Sequence, residues 1–187
     1  MRPNAQPGGA SLTDLSILNR EDWEMSSTAP DHDRDLEEVM KLHNGWLDAN
    51  RNRDIPLMQQ VFVGGDKFIG VNINGYVYRG IEEWVKLWTG FMPTVKVVEV
   101  TESDFELYIR GDMAWCRYFG TITLKGLPQQ VVGLYEEQYE DQQKPMTAAW
   151  HATEVFMRED EHGNPVWKMW RYHGSPALTG RPPGLDF

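Results

Sequence analysis

Cysteine is nearly missing from this 187-residue chain. Cys116 stands alone, so no disulfide can close within the chain and no zinc site can be built on several thiolates. Basic residues are scarce as well. Against 28 Asp and Glu there are 18 Lys and Arg, a net charge of −10. That balance leaves no cationic surface for nucleic-acid phosphates and disfavours an anionic bilayer. No apolar segment approaches the ~20 residues of a membrane-spanning helix. Met1 to Leu18 holds no apolar stretch of the secretory kind, so a cytoplasmic protein is expected. Also lacking are a glycine-rich phosphate loop, a Gly-x-Ser-x-Gly elbow and a His-Glu-x-x-His pair, which counts against the common nucleotide-binding, serine-hydrolase and zinc-protease classes.

Aromatic residues, by contrast, are plentiful: 8 Trp, 7 Tyr and 7 Phe. Each buries roughly 150–250 Å² when packed, so the chain has either a heavily aromatic core or an aromatic-lined cavity. Residues 1–30 are rich in Pro, Gly, Ser and Thr and read as an arm rather than a domain. From about Asp31, Leu36, Val39, Met40, His43, Trp46 and Leu47 recur at helical spacing as far as about Arg53. Asp54 reads as the cap of a short helix ending near Phe62, with Pro56 in its first turn. A small hairpin, Lys67–Asn72 with Tyr76–Arg79, closes on Asn74-Gly75. Gly80 leads into a third helix, Ile81–Met92, ended by Pro93. Strand patterning then takes over: Val95–Val100, Phe105–Ile109, Met113–Leu124 across the turn Arg110-Gly111-Asp112, Gln129–Tyr139, Thr147–Arg158 and Pro165–His173. Helices followed by long antiparallel strands spell an α+β domain.

The closing strand carries the densest chemistry. Strict alternation places Trp167, Met169, Arg171 and His173 on one face, and Lys168, Trp170 and Tyr172 on the other. A guanidinium and an imidazole among large apolar groups suit a lined cavity better than a dry core.

Trp46, Ala49, Arg53 and Asp54 are followed by Met58, Phe62, Asn74-Gly75 and Gly80. The series closes on Thr153, Glu154, Val155, Arg158, Gly163, Trp167, Lys168, His173 and Ser175. In this order the chain resembles the nuclear-transport-factor-two-like superfamily and, within it, the SnoaL-like group, from about Asp31 to Ser175. The resemblance implies a single α+β domain, residues 31–175. It would be a cone-shaped, curved antiparallel β-sheet wrapped over N-terminal helices, with a pocket opening into the cone. Residues 1–30 would be an added arm and 176–187 a tail, while Lys125 to Pro145 is longer than a minimal member needs. It also implies cofactor-free acid–base chemistry and a homodimer or homotrimer.

Such chemistry needs a proton acceptor, a proton donor and a group that holds developing oxyanion charge. The catalytic candidates are His173, Arg171, His151, Tyr118 and Tyr78. Histidine titrates near neutrality, arginine holds an oxyanion by two parallel bonds, and tyrosine can protonate a leaving hydroxyl. Trp46, Tyr76, Trp88, Phe91, Trp115, Arg117 and Tyr172 are the substrate-binding candidates, with Arg79 a further cation. Arg117 and Tyr118 point to opposite faces of their strand, so only one of them faces inward. Glu154 reads as a solvated outer residue, because burial without a partner is costly. His43 reads as a packed helix histidine. The run Glu136, Glu137, Glu140 and Asp141 reads as a solvated face, and Asp31-His32-Asp33 as acidic residues at a helix start rather than a metal site.

Neither a metal nor a cofactor is expected. The leading expectation is a lyase acting on a small, hydrophobic, aromatic substrate. Its reaction would be dehydration, or C–C cleavage releasing formaldehyde from a lignin-derived aromatic dimer. The alternatives are an isomerase or dehydratase of a polycyclic substrate, a non-catalytic small-molecule-binding or oligomerisation module, and the small subunit of a ring-hydroxylating oxygenase.

Overall fold

The computed structural model describes residues 32–91, 95–125 and 145–177. Helix α1, His32–Asn52, starts with Asp33 and Asp35 and ends with Arg51, charges that complement its dipole. Arg53 then turns the chain with φ 58°. The Asp54 carboxylate caps α2, Ile55–Val61, by accepting the Leu57 N–H at 2.9 Å. Strands β1 (Ile69–Val71) and β2 (Val77–Arg79) form the small hairpin, whose turn needs the positive φ of Gly75 (79°). Helix α3 is Gly80–Phe91. Four long strands follow: β3 (Lys96–Arg110), β4 (Met113–Lys125), β5 (Met146–Arg158) and β6 (Trp167–Pro176). The expected strand Gln129–Tyr139, the arm 1–30 and the tail beyond 177 lie outside the described residues.

The strands form one sheet in the order β2-β1-β6-β5-β4-β3. All neighbours are antiparallel except β1 and β6, which run parallel, so the sheet is mixed rather than wholly antiparallel. No tight turn joins β1 to β6, so nothing local dictates their direction. The two short strands expected at 95–100 and 105–109 are one strand, β3, interrupted by register shifts at Val97/Glu99 and Ser103/Glu106. Asp104, with φ 53°, sits in the second shift. A third shift separates the pairs Val155–Arg171 and Phe156–Met169, inserting one extra residue into β6 at Trp170. Bulges of this kind bend strands and increase twist, and here they help wrap the sheet around α1, which packs against β3 and β6.

The aromatic surplus is spent in the interior. Trp46 of α1 lies 5.2–5.9 Å, ring to ring, from Phe62, Trp84, Trp88 and Tyr172, and most of these contacts are edge-to-face. Trp84 is fully buried, packed also against Phe68 and Tyr78. On the sheet's inner face Trp150 lies over Gly120, where a Cβ would stand only 2.5 Å from its ring. The turn Arg110-Gly111-Asp112 is structural: the Asp112 carboxylate accepts from Arg158 Nε at 3.0 Å. Among the described residues no helix is long and apolar enough to cross a membrane.

Gly120→Ala drives a methyl into the buried Trp150 ring and should destabilise the fold by about 1–3 kcal/mol, read as a lower midpoint in urea unfolding. An unchanged midpoint would show that the ring is free to move aside.

Candidate functional site

The inward stripe of α1 is Asp35, Val39, His43, Trp46, Leu47, Ala49 and Asn50. Its polar members are all partnered, as burial requires. Asp35 accepts from the Arg158 guanidinium and from the Trp167 indole, and Asn50 donates to the Trp46 carbonyl. His43 is the third. Its Nδ1 donates to Glu154 Oε2 at 2.9 Å and its Nε2 to Glu102 Oε2 at 2.8 Å.

Glu154 belongs to the inner face of β5, where Met146, Ala148, Trp150, Ala152, Glu154 and Phe156 alternate inward. It is completely buried. Pairing sets it opposite Cys116 on β4 and Tyr172 on β6. Its carboxylate accepts from three donors: His43 Nδ1, Tyr118 Oη at 2.9 Å and Cys116 Sγ at 3.3 Å. Phe105 and Tyr118 close over the imidazole at 4.7 and 5.2 Å between ring centres. Glu102, with its side chain 30% accessible, is the one member of the chain Glu102–His43–Glu154–Tyr118 that reaches water.

The charges follow from this geometry. Burial pushes the His43 imidazole down, but the Glu154 charge and the hydrogen bonds to Glu102 and Glu154 outweigh it and hold the ring up at about 10. His43 is therefore an imidazolium at neutral pH, and both its nitrogens carry protons. The Tyr118 phenol and the Cys116 thiol are held well above their ordinary values, by burial first and then by the charge of Glu154. His43, Cys116 and Glu154 also place one ligand-type atom each within 4.8 Å of one another. As arranged, though, both imidazole lone pairs are protonated and the thiol keeps its proton. A metal ion could bind there only by displacing the His43 Nδ1 proton and the thiol proton.

Several sequence-based expectations are overturned here. Glu154, expected outside, is at the centre, and His43, expected as mere packing, is its main partner. Arg171 and His173 face outward and are exposed, because the extra residue at Trp170 reverses the alternation beyond it. Tyr172 takes the inward place instead. Arg171 donates to the carbonyls of Lys67 and Trp170 and so pins the bulge. His151 is exposed, with its ring against Phe119. Of the pair Arg117 and Tyr118, Tyr118 is the inward one; Arg117 is exposed and paired with Glu106. Trp115 and Tyr76 are exposed rather than lining the interior.

Tyr78 is half-buried against Trp84, and its hydroxyl accepts from Asn74. Trp46 and Trp88 are buried in the aromatic cluster. The side chain of Phe91 lies outside the described residues, and Arg79 is exposed. A signal for the true cluster was present in the sequence. Glu154 is the lone polar residue among the inward positions of β5, and His43 sits between Val39 and Trp46 on the apolar stripe of α1.

Among the described residues, three α-helices packed in a curved, mixed six-stranded sheet, with a buried His–Glu–Tyr cluster inside, define the α+β cone class of fold. The chain belongs to the SnoaL-like domain family, whose model matches residues 39–179. A candidate dehydratase of the NTF2-like family from Streptomyces avermitilis is similar at 20% identity with TM-score 0.61, over 79% of this chain and 99% of that one. A ketosteroid isomerase-like protein from Erwinia carotovora atroseptica is similar at 15% identity with TM-score 0.56, over 78% and 98%. The CaMKII hub of S. rosetta is similar at 14% identity with TM-score 0.54, over 75% and 95%. At such identities the likeness concerns the fold. None of the curated protein sequences matches this chain.

The imidazolium gives a pH test. The folded chain holds the His43 proton up to about pH 10, while the unfolded chain releases it near 6.5. The stabilisation is complete below 6.5 and is lost as pH rises through 10, at up to about 1.4 kcal/mol per pH unit. Urea unfolding between pH 6 and 10 should show this fall, and His43→Gln should remove it. Equal slopes in the two proteins would mean that His43 is neutral when folded.

Proposed function

We propose that this chain is a cofactor-independent lyase that uses general acid–base catalysis on a hydrophobic, aromatic small molecule. The observation that carries this reading is the buried Glu154 carboxylate shared by Tyr118, Cys116 and the His43 imidazolium. Packing alone does not call for so many titratable groups in a water-poor interior.

In a dehydration, the Tyr118 hydroxyl gives its proton to a leaving benzylic hydroxyl, and the C–O bonding pair departs with water. As the phenolate forms, the His43 Nδ1 proton shifts onto Glu154, so the new anion faces a neutral acid instead of a carboxylate. The phenolate then takes a proton from the adjacent carbon, whose C–H pair closes the double bond, and the Glu154 proton returns to His43. Protons balance, and one water leaves. If the neighbouring carbon bears a CH₂OH group, the same phenolate can take the hydroxyl proton. The C–C bond then breaks and formaldehyde leaves. That narrower reaction on a lignin-derived dimer uses the same groups.

The test is a panel of benzylic alcohols with and without an adjacent CH₂OH group, assayed for water loss and for formaldehyde. Glu154→Gln and Tyr118→Phe should each lower turnover by about 100-fold or more while melting cooperatively. Turnover unchanged in both variants would refute the assignment, and formaldehyde from the CH₂OH substrates alone would select the C–C cleavage.

One observation favours self-association alongside catalysis. The outer face of the sheet exposes Met113 and Trp115, the latter stacked on Tyr108 at 4.4 Å, and the S. rosetta hub shares the fold. We infer a homodimer or homotrimer through this face. Sedimentation should show it, and Trp115→Glu should yield monomer; a wild-type monomer at micromolar concentration would exclude it.

A further inference from the structure

Two buried indole N–H groups, those of Trp84 and Trp150, have no hydrogen-bond partner among the described residues. Leaving such a donor unmade costs roughly 1–3 kcal/mol, so each calls for a reason. Trp84 has a steric one. It is enclosed by the rings of Trp46, Phe62, Phe68, Tyr78, Trp88 and Tyr172, which leave no place for an acceptor. Trp150 is different. Only 7% of it is exposed, and it makes no ring contact among the described residues. Its ring is seated over Gly120, where the missing side chain makes the room.

Trp150 shares the inner face of β5 with Glu154, four residues away. On the neighbouring strand, Tyr172 is paired with Glu154, and its hydroxyl reaches over Gly174, where a Cβ would stand 3.0 Å from the oxygen. Burial first, then the Glu154 charge, hold the Tyr172 phenol above its ordinary value, while the nearby donors of Tyr118, Trp150 and Trp46 pull it back. The phenol therefore keeps its proton, and these polar tips share one neighbourhood. The Tyr172 oxygen can accept as well as donate, but Trp150 makes no hydrogen bond of ordinary geometry to it, and Glu154, the carboxylate at hand, is already taken by three others.

We propose that Trp150 Nε1–H and the Tyr172 hydroxyl form a subsite for an acceptor oxygen on the substrate ring, a phenol or phenolate, beside the Glu154–Tyr118 pair. The subsite rests on the reading of the cone interior as the substrate site, and it names the substrate class as oxygen-bearing aromatics. Two neutral donors in a water-poor setting hold a phenol oxygen without a further buried cation, and they serve a phenolate once Glu154 has taken the His43 proton. A phenolate is also the electron source that expels a benzylic hydroxyl from the far side of the ring. The ring oxygen and the leaving hydroxyl would then be served by different donors, Trp150 and Tyr172 at one end and Tyr118 at the other.

The experiment is binding, independent of turnover, with 4-fluorophenol as probe and fluorobenzene as its oxygen-free control. Affinities come from fluorine NMR, and the Trp150 indole signal is identified in nitrogen–proton spectra by its loss in Trp150→Phe. The phenol should move the Trp150 signal and bind at least tenfold more tightly than fluorobenzene. Trp150→Phe and Tyr172→Phe, which keep the rings and remove the donors, should each weaken the phenol about tenfold, the size of one lost hydrogen bond. A Trp150 signal unmoved by the phenol overturns the subsite, as does wild-type affinity in both variants. If the phenol binds as stated while no benzylic alcohol is turned over, the subsite stands and the lyase reading falls.

Discussion

A carboxylate with no access to water governs this structure. An ionised group transferred from water into an apolar interior is tolerated only when paired and hydrogen-bonded. Glu154 meets that demand by drawing donors from two other elements: His43 from α1, and Cys116 and Tyr118 from β4. His43 in turn needs Glu102 on β3 to satisfy its second nitrogen. The helix is thereby held at one rotation and one height over the sheet. A turn of α1 by even one residue would strand both charges. Two turns nearer its start, Asp35 makes a comparable junction with Arg158 and Trp167, so the helix is fastened to the sheet at two polar points with apolar packing between them.

The buried proton-bearing groups then lie on one side of the sheet. The outer face carries strand-stabilising pairs, Thr101 with Thr121 at 2.6 Å, Thr123 with Thr147 at 2.8 Å, and Arg117 with Glu106, beside exposed side chains such as Trp115, His151 and His173. The inner face carries rings and the Glu154 cluster. Small residues let the rings approach the backbone, as Gly120 does for Trp150. Chemistry inside such a cone would work with tyrosine, glutamate and histidine rather than with arginine. Only Glu102, at the edge of the network, remains in touch with solvent and its protons.

Much of the fold was legible because local rules acted alone. Helical spacing marked α1, the Asp54 cap and Pro56 marked α2, and Asn74-Gly75 marked the hairpin. The site was legible only in part. Tyr118, Tyr172, Trp46 and Trp88 were named and do lie inside. Arg171 and His173 were assigned by an alternation that one inserted residue reverses, and no local pattern announces a bulge at Trp170. Glu154 was set outside because a lone buried carboxylate is costly, and its partners were invisible. His43 is 111 residues away from it, and Glu102, which lies between them in the chain, is 59 residues from His43.

The sequence by itself determined the order of elements, the aromatic filling and the supply of acid–base groups, because spacing, caps and turn residues act within a few positions. Tertiary structure alone decided which groups became chemistry. Strand register brought Glu154 opposite Tyr172 and Cys116, helix packing lowered His43 onto it, and the bulge sent Arg171 and His173 to the other face. A side chain's charge and proton affinity depend on what surrounds it within a few ångströms, and those surroundings come from residues far apart in the chain.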